Sequence, residues 1–391
     1  MAIRFIEDLP IEGKRVFIRV DFNVPLSNGA ITDDTRVREA LPTVRHAVAR
    51  GAKVILASHL GRPKGVPNPE FKLEPVGALL AELLNLDVVA ADDCVGDGVK
   101  KLAQELRDGE ILLLENLRFY KEEEANDPAF AEKLAKFADV YVNDAFGTAH
   151  RAHASTAGMV KYFKDKGVGF LMRKELKFLK DTLSRPSRPF VAILGGAKVS
   201  DKIGVISSLM TKADVILIGG AMAYTFLKAK GEQVGESKVE EDSLRVAKEI
   251  LKQASERKVD LLLPVDHIVA EKLDAGTGNE VAGAIPAGLM GLDIGPKTVE
   301  EYSRRIKLAK TIFWNGPMGV FEKEPFAKGT MAIAQALVVS SAITIVGGGD
   351  SAAAINKSGL ASKISHISTG GGASLEFVEN GTLPGIEVLE S

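Results

Sequence analysis

The sequence has almost none of the residues from which a disulfide or thiolate framework is built. Its 391 residues include one cysteine, Cys94, which excludes an internal disulfide and a cluster of thiolate ligands. No apolar run reaches the ~20 residues that a membrane-spanning helix requires. The opening residues 1–8 also lack the apolar segment of a signal peptide. We therefore expect a cytoplasmic protein.

An excess of charge of one sign is also missing. The 50 Lys and Arg residues nearly balance the 52 Asp and Glu residues, and the formal net charge is −2. This balance argues against a polycationic nucleic-acid-binding protein, although a local basic cleft remains compatible with it. A composition of 46% hydrophobic and 26% charged residues is typical of globular proteins and excludes disordered and fibrous chains. At ~100–200 residues per domain, the length favours two or three domains, and we start from two.

Short apolar strands alternate with amphipathic helices along the chain. The strands predicted in the first half are Lys14–Phe22, Lys53–Ser58, Asp87–Ala90, Glu110–Leu114 and Asp139–Asn143. Those predicted in the second half are Phe190–Leu194, Asp214–Ile218, Asp260–Leu263, Thr311–Trp314 and Ile343–Val346. Nearly continuous apolar strands that are each followed by a helix predict an α/β fold, with parallel sheets covered by helices on both faces.

A proline-rich break marks the predicted domain boundary. Residues 170–183 have a helical pattern, and the prolines of segment 184–189 end it. We therefore predict a first domain at 1–169, a joining helix at 170–183 and a second domain at 184–379. Segment 380–391 is predicted to be an extended tail, because Gly381, Pro384 and Gly385 disfavour a helix.

Polar loops follow the strands of the first half. They are V-D-F-N-V-P (20–25), S-H-L-G-R-P (58–63), E-N-L-R-F (115–119) and N-D-A-F-G-T-A-H-R-A-H (143–153). Asp21 and Asn23, taken alone, fit a turn before Pro25. His150 and His153 could suggest a metal site, but the cluster lacks a thiolate and an H-E-x-x-H pattern. Arg151 between them would also oppose a cation.

Basic side chains recur in these loops, and parallel strands end at a common edge of their sheet. We name as the basic cup the following set: Arg36, His59, Arg62, Arg118, His150, Arg151 and His153. Several guanidinium groups together would hold a small, multiply charged anion. A scatter of solvated charges is the alternative, and it does not explain why the arginines recur just beyond strands.

Glycine loops dominate the second half. They are G-G-A-K-V-S-D-K (195–202), G-G-A-M-A (219–223), G-G-G-D-S (347–351) and G-G-G-A-S (370–374). Such loops at strand-to-helix junctions let backbone N–H groups approach phosphate oxygens, and Lys198 and Lys202 add positive charge. Neither a Walker A sequence nor a G-x-G-x-x-G fingerprint is present. Asp350 is placed to hold Mg²⁺, which favours one carboxylate plus substrate phosphates.

The segment W-N-G-P-M-G-V-F-E (314–322) has two interpretations. Asn315 and Glu322 could contact ribose hydroxyls while apolar neighbours cover a base. Alternatively, Trp314 is a core residue and the glycine and proline that follow form a turn.

Together these strings resemble the phosphoglycerate kinase family. The matching segments occur in the family's order over nearly the whole chain: 20–25, 58–63, 115–119, 143–153, 195–202, 314–322, 347–351 and S-T-G-G-G-A-S at 368–374. The resemblance implies two Rossmann-like domains joined by a helix, with the tail 380–391 packed on the first domain. It also implies a monomer that acts in glycolysis and gluconeogenesis.

The resemblance assigns roles to individual positions. For 3-phosphoglycerate, in the first domain, the matching positions are Asp21, Asn23, Arg36, His59, Leu60, Gly61, Arg62, Arg118 and Arg151. For the nucleotide they are Lys202, Gly219, Gly220, Asn315, Glu322, Gly348, Gly349, Asp350 and Ser351. Asp350 would hold Mg²⁺. The catalytic groups would be Arg36, Lys198, Gly371 and Gly372.

The implied reaction is reversible, Mg²⁺-dependent phosphoryl transfer from 1,3-bisphosphoglycerate to ADP, which gives 3-phosphoglycerate and ATP. An acyl phosphate is already activated, so we expect direct in-line transfer without an enzyme nucleophile. Ligands on different domains would have to be brought together by domain closure. No nucleic acid or membrane partner is expected.

Two other classes compete with this interpretation. A nicotinamide-dependent dehydrogenase shares the doubly wound architecture but needs a G-x-G-x-x-G turn, which the sequence lacks. A two-lobed anion-binding protein would keep the basic cup, but it would not need Lys198, Lys202 and Asp350 on glycine loops.

Overall fold

The computed structural model describes residues 3–390, so positions 1, 2 and 391 of the predicted first domain and tail lie outside the described residues. The chain folds into two compact units. The first contains Met1–Lys177 and Thr382–Ser391, and the second contains Phe178–Gly381. The assignment of substrate, joining-helix and nucleotide roles to these regions stays a prediction.

Most strands of the first unit form one parallel sheet. The strands are β1 (Arg15–Arg19), β2 (Leu26–Ser27), β3 (Ala30–Ile31), β4 (Lys53–Ala57), β5 (Val88–Ala90), β6 (Ile111–Leu113), β7 (Val140–Asn143) and β8 (Asp165–Val168). The helices are α1 (Thr35–Ala49), α2 (Glu74–Leu84), α3 (Asp97–Glu105), α4 (Lys121–Glu124), α5 (Pro128–Ala135) and α6 (Phe170–Leu176). The sheet has the order β5-β6-β4-β1-β7-β8, while β2 and β3 pair as an antiparallel hairpin.

The centre of this sheet is buried on both faces. β1 and β4 are solvent-inaccessible beyond their first residues, which explains their continuous apolar sequences. Helix α1 covers one face with Val37, Leu41 and Val44, which recur at the spacing of a helix face.

The second unit has the same type of sheet and an additional small one. Its strands are β9 (Phe190–Leu194), β10 (Val215–Ile218), β11 (Asp260–Leu262), β12 (Asp266–Ala270), β13 (Asn279–Ala282), β14 (Met290–Ile294), β15 (Thr311–Asn315), β16 (Ile343–Gly347) and β17 (His366–Ile367). Its helices are α7 (Ile203–Leu209), α8 (Met222–Ala229), α9 (Leu244–Arg257), α10 (Pro296–Leu308), α11 (Lys328–Val339), α12 (Gly349–Ser358) and α13 (Gly372–Asn380). The parallel sheet has the order β11-β10-β9-β15-β16-β17.

The α/β class with parallel sheets flanked by helices is therefore confirmed. Sequence reasoning did not predict the antiparallel sheet β13-β12-β14. Its strands have mixed polarity and follow one another without helices, so the alternation that revealed the others is missing. Sequence reasoning also overlooked the edge strands β8 and β17, because neither contains a long apolar run.

Segment 170–183, predicted as a helix, is helical: the α-helix Phe170–Leu176 is followed by a π-helical segment, Lys177–Thr182. One local prediction was wrong. The predicted extended tail contains α14 (Pro384–Glu390). Proline favours the first turn of a helix, and burial of Ile386 and Leu389 on one face stabilises this short helix.

The chain shows no candidate for membrane insertion in its described part. None of the helices within residues 3–390 combines the length and apolarity needed to cross a bilayer.

A buried carboxylate caps α6 from another element. Asp144, just after β7, accepts a hydrogen bond at Oδ1 from the Met172 backbone N–H, 3.1 Å away, and also interacts with the Thr43 hydroxyl. Burial raises the pKa of Asp144 from 3.8 to about 7 despite these hydrogen bonds.

The raised pKa of Asp144 predicts the direction of a pH effect on stability. Below its unfolded pKa the carboxyl is protonated in both states. As the pH rises towards 7, the unfolded chain releases the proton first, so the free energy of unfolding falls. Asp144→Asn should remove part of this fall between pH 5 and pH 8, on the order of a few kcal/mol at about 1.4 kcal/mol per unit of pKa. Urea denaturation at both pH values measures it.

The exposed Asp8 provides the control, because Asp8→Asn removes a carboxylate that is not buried. Equal pH dependence in Asp144→Asn and the unmodified protein would contradict the prediction.

Candidate functional site

The loops of the basic cup leave the first sheet at the same level. Arg19 at the end of β1 pairs with Ala57 at the end of β4 and with Asn143 at the end of β7. The three strands are neighbours in a parallel sheet, so their following loops open at one edge.

The loop after β1 is tied to its surroundings by two contacts. Arg36 Nη1 lies 2.7 Å from Asp21 Oδ2 and forms an ion pair with it. The Gly61 N–H donates to Asn23 Oδ1 over 2.8 Å. These contacts bring four of the predicted substrate positions together.

Arg118 and Asn116 hold the loop after β4 from the other side. Arg118 Nη1 donates to the Gly61 carbonyl over 2.9 Å. The amide of Asn116 both donates to the Leu60 carbonyl, at 2.8 Å, and accepts from the Leu60 N–H, at 3.2 Å. Burial lowers the pKa of Arg118 to about 10, and it remains a cation at neutral pH.

Two histidines of the cup, His59 and His153, are neutral partners of the arginines. Burial and the charges of Arg19, Arg118 and Arg36 hold the pKa of His59 well below its ordinary value. Burial, together with neighbouring arginines, lowers the pKa of His153 to about 3. The guanidinium groups of the cup therefore supply positive charge that His59 and His153 do not, which suits an anion of several charges.

Arg151 and Arg62 differ from the other predicted ligands. Arg151 Nε lies 3.1 Å from Nε2 of His150. The charge of Arg151 contributes to the lowered pKa of Arg118. Arg62 is exposed, and within residues 3–390 its side chain makes no hydrogen bond or ion pair. A cavity of about 540 Å³ beside these loops is lined in part by Asn23, Leu60 and Gly61.

The glycine loops of the second unit also leave one sheet edge. Asn315 at the end of β15 pairs with Leu194 at the end of β9 and with Gly347 at the end of β16. Gly220, with φ +65°, lies so close to Gly196 that a Cβ would meet the Gly196 nitrogen at 2.5 Å. Only glycine fits this approach of two backbones.

Side chains join the loops of this edge. Lys202 Nζ donates to Asn315 Oδ1, and Asn315 Nδ2 donates to the Gly347 carbonyl over 2.6 Å. The Gly316 N–H donates to Ser351 Oγ over 2.6 Å. Burial lowers the pKa of Lys202, and this ammonium group lies at the meeting point of the glycine loops.

The remaining predicted positions surround this centre. Gly348, with φ +90°, precedes α12, and Gly349 and Asp350 form its first turn. Gly371 precedes α13 and Gly372 begins it. This helix lies close to the end of β16, because a Cβ added to Gly347 would lie 3.2 Å from Ser374 Oγ. Gly219 packs on Met318. Lys198 and Glu322 are exposed, and they lie outside the hydrogen bonds that join Lys202 to Asn315.

Asp350 was also predicted to hold Mg²⁺. Among residues 3–390 no group of three His, Cys, Asp or Glu side chains could hold a metal ion. Asp350 is an exposed carboxylate whose charge acts on Lys202. A single carboxylate beside glycine loops is a suitable donor for Mg²⁺, which takes its other ligands from phosphates and water.

Sequence reasoning missed residues that hold these loops in place. In the second unit, Glu240 accepts hydrogen bonds at Oε2 from the backbone N–H groups of Val199 and Ser200, at 2.5 and 3.1 Å. In the first unit, the side chains of Arg19 and Glu123 are fully buried. A charged residue inside an apolar strand, as Arg19 is, was an available signal.

Known proteins are similar to this chain in sequence and in fold. The sequence model of the family Phosphoglycerate kinase matches residues 6–381. The phosphoglycerate kinase of Anaeromyxobacter dehalogenans is 62% identical over 395 residues, covering 100% of both chains. The solved structure of the Coxiella burnetii enzyme has a TM-score of 0.91 at 41% identity and covers 100% of this chain and 98% of its own. That of the Pyrococcus horikoshii OT3 enzyme has a TM-score of 0.85 at 35% identity, with the same coverages.

Identity at this level over the full length excludes the dehydrogenase and the two-lobed binding protein as alternatives. The chain belongs to the phosphoglycerate kinase family, whose reaction is the reversible transfer of a phosphoryl group between 1,3-bisphosphoglycerate and ADP.

Proposed function

We propose that the first unit binds 3-phosphoglycerate or 1,3-bisphosphoglycerate and that the second unit binds ADP or ATP. The observation that carries this division is the contrast between the two sheet edges. The first presents buried and exposed guanidinium groups, which match phosphate and carboxylate. The second presents glycine loops with one partly buried ammonium group, which match a polyphosphate chain.

The substrate ligands in this proposal have two tasks. Arg36, Arg62, Arg118 and Arg151 compensate the charge of the phosphate and carboxylate. Asp21, Asn23, His59, Leu60 and Gly61 shape the loops and supply hydrogen-bonding groups. Two contacts support the second task. The Asp21–Arg36 ion pair fixes the loop after β1 to α1, and the Asn23–Gly61 hydrogen bond joins it to the loop after β4.

The nucleotide ligands in this proposal surround the Lys202–Asn315 contact. Gly219, Gly220, Gly348 and Gly349 allow close approach of backbone to phosphate, while Ser351 fixes the Gly316 turn. Glu322 is assigned to the ribose. Asp350 is the proposed ligand of Mg²⁺, which when bound would offset the charge of the nucleotide phosphates.

We further propose direct in-line transfer. A β-phosphate oxygen of ADP attacks the phosphorus of the acyl phosphate. The bond from phosphorus to the carboxyl oxygen breaks, and its electron pair stays on the carboxylate of 3-phosphoglycerate. The transferred group carries negative charge throughout, so positioning and cationic groups lower the barrier. We assign this task to Arg36, Lys198 and the N–H groups of Gly371 and Gly372.

Direct transfer requires the two ligands to come together and water to be excluded from the acyl phosphate. We propose a closure movement for this purpose. The π-helical segment Lys177–Thr182 supports it, because the units divide within this segment and its hydrogen bonding departs from a regular α-helix. A monomeric, cytoplasmic enzyme stays our prediction.

A coupled assay tests the proposed activity. With 3-phosphoglycerate and ATP, we expect ADP to form only when Mg²⁺ is present. ADP formation without 3-phosphoglycerate, or equal rates after Mg²⁺ has been removed by a chelator, would contradict the proposal.

Arg62→Ala tests the assignment of ligands to the first unit. Loss of a charge-assisted contact costs ~1.5–3 kcal/mol, so we expect the Kd for 3-phosphoglycerate to rise about tenfold or more. The Kd for ATP should change little. Calorimetric titration of each ligand measures both. The exposed Arg50, at the opposite end of β4, provides the matched control Arg50→Ala. An equal loss of affinity for both ligands would refute the assignment.

Lys198→Ala tests the separation of binding from catalysis. We assign Lys202 to the bound phosphates and Lys198 to the group in transfer. A contact made mainly in the transition state lowers kcat without a matching rise in KM. Steady-state kinetics should therefore show kcat reduced by ~10²-fold or more. Lys198→Arg should not restore it fully, because a planar guanidinium differs from a compact ammonium.

Lys202→Ala is the comparison for this experiment, with a raised KM for the nucleotide as its expected effect. If Lys198→Ala raises the nucleotide KM and spares kcat, the two lysines exchange roles.

A further inference from the structure

A buried charge lies beneath the basic cup, and the reaction as described does not use it. Arg19, the last residue of β1, is 0% exposed. Glu123 of α4 is also 0% exposed. A buried ion is strongly destabilising unless another charge and hydrogen bonds compensate it. The two side chains therefore have to be considered together.

Ser155 joins these two charges. Arg19 Nε donates to Ser155 Oγ over 2.8 Å, and Ser155 Oγ lies 2.5 Å from Glu123 Oε1. Arginine has no acceptor and a hydroxyl has one proton. The direction is therefore fixed: Arg19 donates to the hydroxyl, and the hydroxyl donates to the carboxylate. We call Arg19, Ser155 and Glu123 the Glu123 network.

Glu123 also holds the backbone of the loop after β7. Its Oε2 accepts from the Ser155 N–H over 2.9 Å, and its carbonyl accepts from the Ala154 N–H over 2.9 Å. This segment follows Arg151 and His153 directly. One glutamate therefore fixes both the guanidinium of β1 and the loop that carries part of the basic cup.

The other end of the network reaches a predicted substrate ligand. Arg19 Nη2 lies 3.3 Å from Nδ1 of His59. Since the guanidinium can only donate, Nδ1 of His59 has to accept. In a neutral imidazole the proton then resides on Nε2. The tautomer of His59 is thus selected by Arg19, and the orientation of Arg19 is fixed by Glu123 through Ser155.

We propose that Glu123 is a positioning residue for substrate binding, which holds Arg19 through Ser155 so that His59 keeps its proton on Nε2. The inference rests on the proposed binding of 3-phosphoglycerate to the basic cup. Without the carboxylate, Arg19 would be a buried cation that acts on Arg118 and has no compensating charge in the network. Its guanidinium would shift, and His59 would lose the donor that selects its tautomer.

The first test needs no variant of Glu123. ¹⁵N NMR of the ligand-free protein distinguishes the two neutral tautomers and the imidazolium of histidine. The sequence contains six histidines, and the spectrum of His59→Gln assigns the signals of His59. We expect the Nε2–H tautomer at pH 7. An Nδ1–H tautomer or an imidazolium would overturn the proposal.

The second test uses Glu123→Gln, which keeps the shape of the side chain and removes its charge. We expect the Kd for 3-phosphoglycerate to rise roughly tenfold, the size of a lost charge-assisted contact. The Kd for ATP should be unchanged, and the His59 signals should move from the pure Nε2–H form. Glu122→Gln is the matched control, because Glu122 is its part-exposed neighbour in α4, and it should leave all three readouts unchanged.

Equal weakening of both ligands, or an unchanged His59 tautomer in Glu123→Gln, would overturn the proposal in favour of a purely structural role. If Glu123→Gln does not fold, Ser155→Ala decides, because it keeps every charge and removes the bridging hydroxyl. It should shift the His59 signals and weaken 3-phosphoglycerate binding by a few-fold, and no change in either would overturn the proposal.

Arg62→Ala separates this inference from the proposed function. If Arg62→Ala weakens 3-phosphoglycerate binding and Glu123→Gln does not, only the role of Glu123 is wrong. If neither variant weakens it, the substrate site itself is wrong.

Discussion

Parallel strand register is the constraint on which both candidate sites depend. In the first sheet, Arg19 pairs with Ala57 and Asn143, and in the second sheet Asn315 pairs with Leu194 and Gly347. Parallel pairing in register makes neighbouring strands end together, so loops from distant parts of the sequence share one edge. Helices on both faces cover the sheets and leave these edges as the places where polar groups can meet. The apolar strands thus determine where the chemistry can be built.

In the proposed function, the two edges hold anions in different ways. The first edge concentrates guanidinium groups, and it needs carboxylates to keep them in place. Asp21 pairs with Arg36, and the buried Glu123 compensates Arg19 through Ser155. The second edge relies on backbone contacts between glycines such as Gly196 and Gly220, so few charges have to be compensated. Clustered guanidinium groups suit a small, highly charged acid. Glycine loops with exposed backbone N–H groups suit a chain of phosphates.

The sequence was informative where one segment carried its own signal. Apolar runs such as Lys53–Ala57 predicted the parallel strands, and a ligand such as Arg118 was predicted because it follows one of them. Strands β12–β14 were missed, since their polarity is mixed and their pairing depends on partners elsewhere. The roles of Arg19 and Glu123 were missed for a similar reason: each takes its meaning from a side chain far away in the chain, which no local pattern reports. The helix α14 was missed likewise, because it is stabilised by burial of its apolar residues, whereas its proline and glycine favoured an extended tail.

The position of α14 has a consequence for how the protein is made. The Gly385 N–H donates to the Ala149 carbonyl over 2.8 Å, and Asn143 Nδ2 donates to the Gly385 carbonyl over 3.2 Å. During synthesis, residues 382–390 leave the ribosome after the whole second unit has emerged, although they belong to the first unit. The loop that carries Arg151 therefore acquires this support last. A nascent chain can form most of the first sheet early, but the first unit reaches its final packing only when translation has passed α14.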